Sequence, residues 1–116
     1  MTFEREIKSD VIKSKIEKIK DALIFIEENL PSDSQGITES RLIRNALYKE
    51  AEFAIELVLD ICSLINAGLR LGMPENEDNI LDNLERKKVF DKSLIDLIRE
   101  MKRFRNILIH RYGEVD

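Results

Sequence analysis

Phe53-Ala54-Ile55-Glu56-Leu57-Val58-Leu59-Asp60-Ile61-Cys62-Ser63-Leu64-Ile65 is the stretch that decides the fold. Laid on a helix, it is apolar on most of its sides. Such a helix is either the centre of a bundle or carries a second packed surface. Its main seam is Leu47, Ala51, Ala54, Val58, Ile61 and Ile65, and the two alanines let a neighbouring helix approach closely. Thr38 or Ser40 is placed to cap its start, and Gly72 with Pro74 is expected to close it.

Upstream, Ile12, Ile16, Ile19, Leu23, Ile26 and Leu30 recur at alternating steps of four and three, which predicts a helix with one apolar seam. Pro31 ends it, and residues 31–36 form a polar loop. Downstream, Ile80, Leu81 and Leu84 mark a shorter helix with Asn76 as a cap. A fourth helix is predicted from the cap Asp91 to the region of His110, with Leu94, Leu97, Ile98, Met101, Phe104 and Leu108 as its core face. No stretch alternates in strand fashion and nothing repeats internally. The expected fold is an all-α antiparallel four-helix bundle, one domain over residues 1–116.

The composition fits a soluble helical protein: 43% of residues are apolar and 36% charged. Abundant Ile, Lys and Glu with a single Gln, Gln35, leans toward a heat-loving source. Cys62 stands alone, so no internal disulfide and no cysteine-based zinc site is expected, and it should pack as a small hydrophobe in a reducing cytoplasm. Charged residues from Glu4 onward argue against a secretory signal. No apolar run approaches a membrane span. The expected location is cytoplasmic, with no membrane partner.

A net charge of −4 has the wrong sign for a protein that coats nucleic acid. The distribution is more informative. Residues 99–112 carry Arg99, Lys102, Arg103, Arg105 and Arg111 against Glu100 alone, a local +4 that leaves −8 for the rest. A basic patch on an acidic body suits a small phosphate-contacting site, although cations also favour the last turns of any helix. The same segment holds His110, the only histidine. Imidazole exchanges protons near neutrality, and arginine is shaped to hold phosphate, so Arg105 with His110 points to acid–base chemistry on a phosphodiester. An ordinary surface histidine at a helix C-terminus would occupy the same place.

Arg105 falls at the border of the apolar face, where a guanidinium needs a partner. Five positions along an unbroken helix separate Arg105 from His110 by about 140°. Either the helix deforms between them or a second chain supplies part of the site. Cleaving RNA through its 2′-hydroxyl also asks for a base and an acid, and each chain has one histidine. A symmetric homodimer would bring two together. Glu52, Glu56 and Asp60 share a helical stripe, but no histidine accompanies them, so they are expected to be a solvated face and no metal or other cofactor is expected.

Arg105-x4-His110-x-Tyr112 resembles the Arg-x4-His-x-Tyr motif of HepT-like proteins, a branch of the HEPN superfamily. The likeness extends along the chain, through the opening helix, the Glu52-Phe53-Ala54-Ile55-Glu56-Leu57 stretch, Leu71-Gly72-Met73-Pro74 and Met101 to Tyr112. The resemblance implies a dimeric all-α bundle in which two Arg–His motifs meet in a cleft. It implies a metal-independent endoribonuclease, the toxin of a type VII-like toxin–antitoxin system. The implied partner is a minimal nucleotidyltransferase antitoxin that attaches AMP to the motif tyrosine. Carried over, Arg105 would hold the scissile phosphate, His110 would be acid or base, Asn106 a polar helper and Tyr112 the AMP acceptor, with Arg99, Lys102, Arg103 and Arg111 contacting RNA. A non-catalytic HEPN module that binds a nucleotidyltransferase or a nucleotide is the main alternative. A phosphotransfer bundle is disfavoured, because His110 lies at the end of the last helix.

Overall fold

The computed structural model describes residues 8–32 and 40–115, with side chains to residue 110. Four helices follow one another: α1 (Ser9–Asn29), α2 (Arg41–Gly68), α3 (Glu77–Arg86) and α4 (Lys92–Val115). No strand occurs among the described residues.

The caps follow sequence chemistry. Ser40 Oγ accepts from the Ile43 N–H, Asn76 Oδ1 from Asn79 N–H at 2.8 Å, and Asp91 Oδ1 from Leu94 N–H at 2.9 Å. Each satisfies a donor that the first helical turn leaves orphaned. Thr38, the alternative cap of α2, lies outside the described residues. α2 stops at Gly68, short of the expected Gly72. Arg70 then adopts φ +54° and Gly72 φ +145°, and this reversed backbone carries the chain into α3.

α2 is the centre: it packs on all three other helices, whereas among the described residues α1 meets neither α3 nor α4. Ile55 and Leu57, about 200° apart around the axis, are both buried. The Ile55 side carries the core, where Ile55, Leu59 and Cys62 meet Leu81, Leu84, Ile95 and Ile98. Leu81, Leu84 and Ile95 are wholly enclosed, each worth roughly 2 kcal/mol of burial. On the other side lies α1, with Ala22 buried and Lys15 Nζ paired to Asp60 of α2 at 3.3 Å.

Two seams are rotated from expectation. On α4 the buried apolar line is Ile95, Ile98 and Leu108, while Leu94, Leu97 and Phe104 are exposed. On α1, Ile12, Ile19 and Ile26 are half-buried, but Ile16, Leu23 and Leu30 are open. The reason is the layer order: each apolar stripe is wider than the neighbour it meets, so one edge of it is left uncovered.

At the α2–α3 corner the core is polar. Asn83 Nδ2 donates to Asn66 Oδ1 at 3.1 Å, Asn66 Nδ2 to the Gly72 carbonyl at 3.0 Å, and Arg86 Nη2 to Asn83 Oδ1 at 2.6 Å. These two nearly inaccessible amides tie the corner loop to α3.

Candidate functional site

The Arg105-to-Tyr112 motif lies on α4, which runs uninterrupted to Val115. The helix does not deform, so Arg105 and His110 leave it about 140° apart. Arg105 is 8% exposed and His110 lies on the surface. Asn106, also exposed, is one turn before His110 and only about 40° from it. The open face of the motif is therefore Asn106 and His110, and Arg105 lies behind it.

Arg105 has its partners. Nη1 donates to Glu56 Oε1 at 2.9 Å and to Glu77 Oε2 at 3.0 Å. Nη2 donates to Glu77 Oε1 at 2.8 Å and to Asn106 Oδ1 at 2.9 Å. Nε donates to the same Asn106 oxygen at 3.2 Å. A guanidinium has five N–H donors, and all are engaged. The bidentate Glu77 pair is the strong geometry for this couple. It holds the Glu77 carboxyl below its usual range, chiefly through the Arg105 hydrogen bonds, and keeps Arg105 more firmly protonated. A phosphate could reach Arg105 directly only if Glu77, Glu56 or Asn106 let go.

The expected RNA-contacting cations also have partners. Arg99 meets Asp78 at 3.3 Å and Asp82 at 2.6 Å, Lys102 meets Asp78 at 3.1 Å, and Arg103 meets Glu100. The acidic edge of α3 thus faces the basic side of α4. Sequence reasoning missed Glu77, Asp78 and Asp82. Two of them sit in the first turn of a helix, where acids are favoured by the dipole in any case, so nothing in their spacing signalled a cross-helix role. The side chains of Arg111 and Tyr112 lie outside the described residues.

The acidic stripe of α2 faces cations: Glu52 meets Lys49 at 3.9 Å, Glu56 meets Arg105, and Asp60 meets Lys15. Among the described residues, no three His, Cys, Asp or Glu side chains gather as a metal site. Cys62 is buried and its thiol is pushed up to about 11 by desolvation, so it is not a nucleophile near neutrality. No helix among the described residues is long and apolar enough to cross a membrane.

Beside the motif an apolar groove opens between α2 and α4, lined by Val58, Ile61, Phe90, Leu94, Ile98 and Met101. Its α2 floor is part of the seam expected to be core.

The family model described as "Ribonuclease HepT-like" matches residues 11–116. The chain is 25% identical over 108 residues to an "mRNA nuclease HepT" of Shewanella oneidensis, covering 93% of this chain and 80% of that protein. It superposes with a TM-score of 0.79 on a solved structure described as "Crystal structure of the toxin-antitoxin with AMP-PNP", at 25% identity over 87% of this chain and 76% of that one.

Proposed function

The chain belongs to the HepT-like ribonuclease family, and on that premise we propose that it is a metal-independent endoribonuclease, the toxin of a toxin–antitoxin pair. The observation that carries this reading is the exposed pair Asn106 and His110, one turn apart, backed by the buried Arg105.

In the proposed reaction a neutral His110 takes the proton of an RNA 2′-hydroxyl, and the 2′-oxygen attacks the adjacent phosphorus. The bond to the 5′-oxygen breaks, and a second, protonated His110 delivers a proton to that leaving oxygen. The products are a 2′,3′-cyclic phosphate and a 5′-hydroxyl. Two imidazoles require two chains, and the open groove of Val58, Ile61, Leu94 and Met101 supports a homodimer that covers it. Arg105 and Asn106 complete the site, and Arg99, Lys102, Arg103 and Arg111 supply the cationic surroundings.

Tyr112 is proposed as the control point. Its hydroxyl would attack the α-phosphorus of ATP on a minimal nucleotidyltransferase partner, releasing pyrophosphate. The attached AMP would then compete with RNA for the site.

Cleavage should persist in EDTA, and His110→Ala should lose roughly two to four orders of magnitude. Abolition by chelation with rescue by Mg²⁺ would sink the metal-independent mechanism. The engagement of every Arg105 donor favours one second reading, a non-catalytic module that binds the transferase. A His110→Ala protein as toxic in cells as the parent would select it. Mass spectrometry after incubation with the transferase and ATP tests Tyr112: the adduct should sit on its peptide and vanish in Tyr112→Phe.

A further inference from the structure

Asn106 has a buried cation behind it and open solvent before it. Its Oδ1 accepts from both Nε and Nη2 of Arg105, so the amide orientation is fixed: the acceptor is turned inward. The two Nδ2 hydrogens meet no acceptor among the described residues. Arg105 is itself held on its other edges by Glu77 from α3 and Glu56 from α2. A chain of contacts thus runs from two carboxylates, through a guanidinium with no spare donor, to an amide one turn from His110.

We propose that Glu77, with Glu56, is a positioning residue of this site: it clamps Arg105 so that the guanidinium holds the Asn106 amide N–H groups outward beside His110, and Asn106 rather than Arg105 donates to the scissile phosphate. The proposal rests on the ribonuclease reading for its phosphate half and on geometry alone for the clamp. The division of labour follows from the groups involved. A guanidinium that is enclosed and fully engaged cannot take a tetrahedral anion without first giving up a hydrogen bond to Glu77, Glu56 or Asn106. An exposed amide with both hydrogens available takes it without any rearrangement, which is the preorganisation that charge-stabilising donors need. The Arg105 charge, one residue behind, polarises that amide through the hydrogen bonds on its oxygen.

The clamp is read without turnover, from the side-chain amide resonance pair of Asn106, assigned by its loss in Asn106→Asp. Glu77→Gln should shift this pair. Asp82→Asn, which breaks a different ion pair between the same two helices, should not. An unmoved pair in Glu77→Gln, or an equal shift in Asp82→Asn, overturns the clamp whether or not the protein cuts RNA. A 2′-deoxy-substituted RNA oligonucleotide, which binds but cannot be cleaved, should move the same pair in the parent protein. Binding that leaves it unmoved overturns the phosphate role.

Kinetics then separate positioning from simple stability. Asn106→Ala should lower kcat by about a hundred-fold. Glu77→Gln should lower kcat by up to about a hundred-fold with KM little changed. The double variant should be no worse than Asn106→Ala alone, because Glu77 acts through Asn106. Multiplying losses would mark Glu77 as structural only and overturn the proposal. Absence of any cleavage by the parent protein would instead overturn the ribonuclease reading, while the resonance test still decides the clamp.

Discussion

Leu94 and Ile95 are neighbours in the chain and opposites in burial: Ile95 is wholly enclosed, while Leu94 is 39% exposed on the wall of an open apolar groove. One helix therefore serves two surfaces, one inside the chain and one facing out. Leu97, at 56% exposure, continues the outward one.

A charge on that outward line should cost association and spare the fold. Leu94→Glu with Leu97→Glu is expected to turn the proposed dimer into a monomer in sedimentation, with helical circular dichroism unchanged. Cleavage should fall in parallel, since the paired site would be split. A double variant that still sediments as the parent does would show that this face is not the interface.

Arg105→Ala should be felt in stability as well as activity. It leaves two carboxylates facing each other without their counter-ion. The expected loss is about 2 kcal/mol, less than a fully buried pair would cost, because Glu56 and Glu77 keep partial access to water. The melting temperature should fall by roughly 8 °C. Activity measurements on this variant must be made below its own transition to be informative.

The Glu77 carboxyl also gives stability a pH dependence. Its folded pKa lies below the ordinary carboxylate value. On acidification the unfolded chain takes up this proton first. The contribution is therefore present at neutral pH and is lost as pH falls through the usual carboxylate range to the folded value. Urea midpoints measured from pH 7 to pH 3 should drop less steeply for Glu77→Gln than for the parent. Parallel curves would mean that the ion pair adds nothing to stability.

Asn66→Ala should destabilise by about 2–3 kcal/mol. It removes the acceptor of the Asn83 amide and the donor to the Gly72 carbonyl, in a place water does not reach. Gly72→Ala should harm the same corner, since its Cβ would lie 3.2 Å from Asn83 Nδ2 at a φ of +145°. Urea denaturation reads both, and an Asn66→Ala midpoint equal to the parent's would refute the assignment.

The helices, the caps at Ser40, Asn76 and Asp91, and the enclosed pair Leu81 and Leu84 were legible because periodicity and capping are local. The central role of α2 was legible too, from a stretch apolar on most sides. What was not legible is where each stripe is cut by its neighbour. Leu94 and Ile95 look alike in a sequence, and only the direction of α2 decides between them. The need of Arg105 for a partner could be read from its border position, but not the identity of that partner. Glu77 lies 28 positions upstream on another helix, and no spacing rule connects them.

Among the described residues α1 packs on α2 and on no other helix, and none of its side chains belongs to the cluster that joins Ile55, Leu59, Leu81, Leu84, Ile95 and Ile98. It is therefore the part of the chain that can detach as a unit while the other helices keep their interior closed. Its amide protons should exchange with deuterated water through a partial opening, well before those of α2. A helix with a single neighbour can also be traded: the same surface of α2 would accept α1 from another molecule, and the two chains would then be interlocked as well as adjacent.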